Sequence, residues 1–228
     1  MIKYCVWDVG NTIYNFSLKP LERWFAEKTT DIEKFRHNGG LRNYSFNPYM
    51  LGQIDTKEMC VQLCERFDVP YTKEVPAAIN RELHRGVGPY FAETKQMMRL
   101  MRKKGIENAV FSNAMPLLAG TVSYPELLKP ENVFTSYKAG LLKPDPAVYE
   151  YVRANLGARF EEMIMVDDKP KNIEAARALG MYGVIYAPET AERDLMQIIN
   201  HVGCPVKMTD KDIIRQSIKN VLDTNKQK

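Results

Sequence analysis

The chain has 228 residues, enough for one large domain or a domain with an inserted lobe. Its 45% hydrophobic and 26% charged residues are those of a globular protein, and a net charge of +4 without a basic stripe does not argue for a nucleic-acid binder. No apolar run approaches the ~20 residues that span a bilayer, and Cys5, Cys60, Cys64 and Cys204 form neither a disulfide framework nor a zinc pattern. The expectation is a cytoplasmic protein with reduced core thiols, a monomer or homodimer, with no membrane or nucleic-acid partner.

Taken in chain order, "IKYCVWDV" reads as a buried first strand, and the opening residues lack a signal-peptide layout. From about Ser17 to Val87 the pattern is helical without a convincing buried strand. Within it Thr56 to Phe67 is one helix, capped by Asp55 or Thr56. After it comes the helix "ETKQMMRLMRKKG", stopped by Gly105 behind a basic last turn. The strands "NAVFSN" and "VFTS" follow, then a helix from Pro144 to Leu156, the strand "MIMVDD", the helix "KNIEAARALG" and the strand "YGVIYA". Apolar strands alternating with helices predict a parallel sheet covered on both faces. The fold class is therefore α/β, a Rossmann-like parallel core with an inserted α-helical lobe. A last helix is expected over Thr209 to Leu222, with Ile213, Ile214, Ile218, Val221 and Leu222 on one face, followed by a polar tail.

In an open parallel sheet, ligands bind beyond the carboxyl ends of the strands. The first strand delivers Asp8, Gly10 and Thr12 there, the second Ser112 and Asn113, and the fourth Asp167 and Asp168; the loop "YKAGLLKPDP" adds Lys143. Asp8 and Asp168 together make a hard oxygen site for Mg²⁺. A phosphate monoester is a dianion, so Mg²⁺ and Lys143 would neutralise it while Ser112 and backbone N–H groups near Gly10 and Asn113 hold its oxygens. Asp8 would then attack phosphorus. Singly, these residues have plainer readings: Asp8 as a turn former, Ser112–Asn113 or Asp167–Asp168 as helix caps. Their joint arrival at the strand ends favours chemistry.

"DVGNT", "VFSNA", "GLLKPDP" and "MVDDKPKN" resemble, in order and spacing, the four motifs of the haloacid dehalogenase-like superfamily. The resemblance implies that residues 17–87 are a helical cap, with residues 1–16 and 88–203 as the α/β core and 204–228 as a C-terminal segment. It implies Asp8 as nucleophile and metal ligand and Gly10 as a carbonyl ligand. Thr12 supports the nucleophile loop, and Asn11, Ser112, Asn113 and Lys143 bind the phosphoryl group. Asp168 is the second metal carboxylate, with Asp167 beside it and Asn172 near a metal water. The implied activity is Mg²⁺-dependent hydrolysis of a small phosphorylated metabolite through an aspartyl-phosphate.

Gly10 departs from the pattern. Most phosphatases of the superfamily have a second Asp there, which protonates the leaving oxygen. General acid–base help is typically worth ~10²–10⁴-fold. Three readings stay open. The first is a phosphatase whose leaving group needs little protonation, a sugar 1-phosphate or acyl phosphate; the "D-x-G-N" form, "LGQIDTKEM" and the Ser-Asn pair are similar to the α-D-glucose-1-phosphate phosphatase branch. The second is a 2-haloacid dehalogenase, against which the Asp167–Asp168 pair counts. The third is a catalytically weak binding or regulatory protein. Tyr14 and Phe16 are expected at the site. The cluster Arg42, Tyr44, Phe46 and Tyr49 lines the pocket or packs inside the lobe. The three histidines, His37, His84 and His201, share no pattern.

Overall fold

A computed structural model describes residues 1–121 and 126–204. The chain opens with β1 (Tyr4–Trp7) and the short β2 (Tyr14–Phe16). Five helices follow: α1 (Lys19–Lys28), α2 (Ile32–His37), α3 (Asn47–Met50), α4 (Thr56–Arg66) and α5 (Val75–Arg85). Then come β3 (Val87–Tyr90), α6 (Ala92–Lys103), β4 (Glu107–Ser112), β5 (Val133–Thr135) and α7 (Ser136–Ala139). The chain continues through α8 (Pro146–Leu156), β6 (Met163–Asp167), α9 (Pro170–Ala178), β7 (Tyr182–Ile185) and α10 (Ala191–Val202). The helix expected over Thr209 to Leu222 lies outside the described residues.

The main sheet has the order β5-β4-β1-β6-β7, and every neighbour pair is parallel. β1 is central: Tyr4 pairs with Glu107 on one side and Met163 on the other. Strands added later in the chain extend the sheet first on the β4 side and then on the β6 side. This creates a switch point at β1, beyond whose carboxyl end a crevice forms.

Alternation along β1 distributes its side chains to two layers. Cys5 and Trp7 pack with Met97, Met98 and Met101 of α6 and with Leu195 and Ile199 of α10. Val6 faces Val148 and Val152 of α8 and Ile173 of α9. The helix α10, not foreseen from sequence, closes the first layer. Trp7 donates its indole N–H to Asn108 Oδ1 at 2.9 Å, and the Asn108 amide donates to Met98 O and Leu127 O, so this buried polar pair is satisfied.

Helices α1 to α5 build a separate apolar cluster. Leu21, Phe25, Met59, Leu63, Phe67, Ile79 and Leu83 are its interior, and Met115 and Leu118, from the segment after β4, join it. Cys60 and Cys64 lie on the buried face of α4, which Asp55 caps by accepting the Glu58 N–H at 2.8 Å. The aromatic cluster belongs to this interior: Tyr44 packs edge-on against Phe46 with ring centroids 4.8 Å apart, and Tyr49 is buried.

The chain passes into and out of this helical cluster through an antiparallel pair, β2 with β3, in which Tyr14 faces Tyr90. Ser17 N–H donates to Gly86 O at 2.9 Å, and a side chain on Gly86 would collide with Ser17 O; only glycine permits this approach. On the far side, Gly52 sits at φ 70° with its missing Cβ position 2.7 Å from Tyr137 O, so the turn after α3 rests directly on α7. No helix among the described residues is long and apolar enough to cross a membrane.

Candidate active site

β1 ends one residue before Asp8, whose backbone N–H still donates to Val166 O at 2.8 Å. The carboxylate is thus fixed at the mouth of the sheet. The next residues form a tight turn in which the Thr12 and Ile13 N–H groups both donate to Val9 O. Asn11 takes the left-handed conformation (φ 61°), which Asn tolerates better than most residues. Its side-chain oxygen accepts the Phe16 N–H at 3.0 Å, so it braces the loop.

Lys143 reaches this point from the loop before α8. Its ammonium donates to Asp8 Oδ1 at 2.5 Å, to Asp167 Oδ2 at 2.7 Å and to Phe111 O at 3.0 Å. All three charged groups are buried. Burial pushes the Asp8 carboxyl up to about 6, against the pull of Lys143; the neighbouring Asp167 charge adds to the rise. Burial pulls the Lys143 ammonium down, but the two carboxylates outweigh it, so its affinity for the proton is above the ordinary lysine value.

Asp167, the last residue of β6, is fully engaged. Asn172 donates to both its oxygens at 2.9 Å, and the Lys169 N–H donates to Oδ1 at 2.9 Å. Asn172 therefore orients Asp167, and Asp167 orients Lys143. Asp168 is half-buried, its carboxyl raised by burial, and its Oδ1 has no partner. One oxygen each from Asp8, Asp167 and Asp168 lie within 4.8 Å of one another. Asn172 Oδ1 and Thr12 Oγ1 are also buried without partners. Oxygen donors of this kind, with an orphaned carboxylate oxygen among them, fit a hard divalent cation such as Mg²⁺ and do not suit a soft metal.

Asp8, Lys143 and Asn172 line a cavity of about 1010 Å³ together with Gly10, Asn11, Ser112 and Asn113; Thr12, Asp167 and Asp168 are not among its lining. Tyr14 and Phe16 line it, as expected; the Tyr44 cluster and the histidines are not among its lining. Ser112 is buried at the end of β4.

The match to known families agrees with this arrangement. A family model described as haloacid dehalogenase-like hydrolase matches residues 2–180. The chain belongs to this family. Among similar proteins, a HAD family enzyme of Bacteroides thetaiotaomicron, solved with magnesium and inorganic phosphate, superposes with a TM-score of 0.67 at 15% identity, covering 82% of this chain and 95% of that one. A drimenol cyclase of Aspergillus calidoustus is 25% identical over 213 residues, 91% of this chain and 38% of the relative. A sesquiterpene phosphatase of Aspergillus oryzae is 36% identical over 74 residues, 32% of this chain and 37% of the relative. The chain spans between 14% and 38% of the length of the curated relatives it matches.

Within this HAD-like site, several supporting groups escape a reading of the sequence. The Asn113 side chain makes a two-point clamp on Lys143, accepting its N–H at 2.9 Å and donating to its carbonyl at 3.0 Å. Ser136 Oγ accepts the Ala114 N–H at 3.0 Å and fixes the loop after β4. Thr94 of α6, fully buried, donates to Thr12 O at 2.6 Å and lies 2.8 Å from the Tyr186 hydroxyl. Tyr149 of α8 donates to Asn172 O at 2.7 Å. The Ser-Asn dipeptide signalled Asn113; Thr94, Ser136 and Tyr149 carry no local signal.

Proposed function

We propose that the protein is a Mg²⁺-dependent phosphatase that acts on a small phosphorylated metabolite through an aspartyl-phosphate on Asp8. The observation that carries this reading is the buried Asp8–Lys143–Asp167 chain beside the unpartnered Asp168 oxygen, with Asp8 and Lys143 lining one cavity. A halide-displacing site has no need of a half-buried carboxylate oxygen without a hydrogen-bond partner, so Asp168 disfavours a 2-haloacid dehalogenase. The same cost of burial disfavours a degenerate binding module. The sesquiterpene phosphatase and the magnesium- and phosphate-bound HAD structure support the same reading.

In this reading Asp8 and Asp168, with Asp167 and the Gly10 carbonyl close by, hold the metal. When bound, Mg²⁺ supplies charge neutralisation and Lewis-acid polarisation of the phosphoryl group. Lys143 and Ser112 hold the phosphoryl oxygens, with the backbone at Asn11 and Asn113 and the Thr12 turn shaping their cradle. An Asp8 oxygen forms a bond to phosphorus as the bond to the leaving oxygen breaks. Water then attacks phosphorus, releasing phosphate and restoring the carboxylate. Residues 17–87 act as a cap over a core of 1–16 and 88–203, excluding bulk water as it closes.

Gly10 places no acid beside the leaving oxygen. Leaving groups that depart with little protonation are therefore favoured, among them the anomeric oxygen of a sugar 1-phosphate and the carboxylate of an acyl phosphate; the resemblance to the glucose-1-phosphate branch belongs here. The test is phosphate release from a panel of phosphorylated metabolites with Mg²⁺ and with EDTA. Metal-dependent release supports the assignment. Halide release from 2-haloacids, without phosphate release, would replace it.

A further inference from the structure

The turn after Asp8 folds back on itself. Val9 O accepts the Tyr14 N–H at 3.3 Å, the Asn11 N–H donates to Tyr14 O at 2.6 Å, and a single β-bridge pairs Gly10 with Tyr14. Tyr14 therefore stands beside the position where an acid is missing. It is buried, packs edge-on against Tyr90 with ring centroids 5.7 Å apart, and lines the cavity. Other proton-bearing groups line the cavity but arrive from elsewhere: Tyr137 and Lys138 from α7, Lys169 and Lys171 from the start of α9. No bridge or backbone hydrogen bond among the described residues ties those four to the Gly10 turn.

Counting protons shows which way the Tyr14 hydroxyl donates. Its oxygen lies 3.2 Å from Thr121 Oγ1, and the geometry allows either to be the donor. A threonine hydroxyl has one proton, and Thr121 gives its own to Leu118 O at 2.9 Å. Tyr14 is then the donor. This bond is long against the ~2.7–2.8 Å usual for O–H···O, and its acceptor is a neutral hydroxyl. An oxygen that gains negative charge as its bond to phosphorus breaks is a stronger acceptor. A phenol also holds its proton at neutral pH.

Building on the phosphatase reading above, we infer that the Tyr14 hydroxyl is a catalytic group that meets the leaving oxygen, in place of the acid that Gly10 cannot supply. The hydroxyl turns from Thr121 to the ester oxygen. As the Asp8–phosphorus bond forms, the bond from phosphorus to that oxygen breaks and leaves its electron pair on the oxygen. Tyr14 shares its proton in a hydrogen bond and keeps it. The departing alkoxide takes its proton from water, leaving hydroxide. Such a donor stabilises the charge without neutralising it, so leaving groups of low basicity stay favoured.

The test is kcat/KM, which reports transfer of the phosphoryl group to Asp8, for 4-nitrophenyl, phenyl, trifluoroethyl and butyl phosphates with Mg²⁺. The enzymes are wild type, Tyr14→Phe and Thr121→Val. Tyr14→Phe keeps the ring and its packing on Tyr90. It should lower butyl phosphate ~10–100-fold and 4-nitrophenyl phosphate less than about threefold, because the more basic oxygen carries more charge as it leaves. Thr121→Val removes the resting acceptor and keeps the phenol, so its dependence on the leaving group should match wild type. Gly10→Asp added to Tyr14→Phe should restore butyl phosphate. A Tyr14→Phe loss equal for all the esters, no loss at all, or a Thr121→Val series as steep as that of Tyr14→Phe would overturn the inference and leave the phosphatase reading intact. Wild-type enzyme that frees phosphate from none of the esters would remove both.

Discussion

Replacing Lys143 by Met keeps the length of the side chain and removes its charge. The ammonium is 1% exposed, and its partners Asp8 and Asp167 are 10% and 0% exposed, so solvent screens neither ion pair. Without it, two carboxylates share one buried spot with no cation. Removing one partner of a buried ion pair costs about 3–5 kcal/mol, a large share of the ~5–15 kcal/mol that holds a domain folded. The assay is urea denaturation in EDTA at about pH 7.5, comparing wild type, Lys143→Met and Lys143→Met with Asp167→Asn. The double variant should recover part of the loss, since it removes one of the two opposed anions. The sign of the pH dependence is also set. Asp8 titrates at about 6 in the folded chain against an ordinary 3.8, so the folded state keeps a proton that the unfolded chain releases. Stability from this group therefore falls as pH rises through that window. In Lys143→Met the carboxyl loses the ammonium that holds it down, and the fall extends to higher pH. The deficit of the variant should be smaller at about pH 5 than at about pH 7.5. A loss under about 1 kcal/mol, the worth of an exposed pair, independent of pH, would refute the reasoning.

Thr94→Val is isosteric but leaves Thr12 O and the Tyr186 hydroxyl without their partner; it should cost about 1–3 kcal/mol and lower kcat with little change in KM, and Thr94→Ser should restore both. A Thr94→Val enzyme with wild-type kcat would remove Thr94 from loop positioning. Gly10→Asp has room, since its Cβ would lie 3.7 Å from Phe16 Cβ, and should raise turnover of butyl phosphate ~10–100-fold and of aryl phosphates much less. An equal gain for both would contradict the account of the leaving group. Glu162 is held down to about 2 chiefly by the Lys3 ammonium, 2.8 Å away, and by the Arg159 N–H at 3.0 Å. Its contribution is present above the ordinary 4.5 and lost as pH falls toward about 2, so Glu162→Gln should flatten the acid limb of the Tm profile. An unchanged acid limb counts against it.

The strands of the main sheet are legible because each is a short apolar run, and β1, β4, β5 and β6 run into polar residues at their carboxyl ends. Asp8, Ser112, Asp167 and Asp168 therefore fall at one end of the sheet by sequence alone, and Lys143 joins them through its loop. What escaped was set by contacts between distant residues. Thr94 and Thr12 are 82 positions apart, and nothing in "AETKQMM" marks the threonine that turns inward. The β2–β3 pair is too short to alternate visibly, whereas the segment between its strands reads as helical and is filled by α1 to α5. The sequence places Asn172 near a metal water; its side-chain N–H₂ donates to both oxygens of Asp167, while its Oδ1 has no hydrogen-bond partner. A side-chain amide has two ends, and sequence does not say which one a neighbour takes. Asn113 shows the same limit: its position was visible, but the clamp on the Lys143 backbone needed the fold.

The central claim is a covalent phosphoryl group on Asp8. The most direct measurement is rapid acid quench of the enzyme turning over an aryl phosphate with Mg²⁺, followed by peptide mass analysis. The account predicts one added phosphoryl group on the peptide bearing Asp8, absent with EDTA and absent in Asp8→Asn. Steady turnover in Asp8→Asn, with no phosphoryl group on that peptide in the wild type, would contradict it.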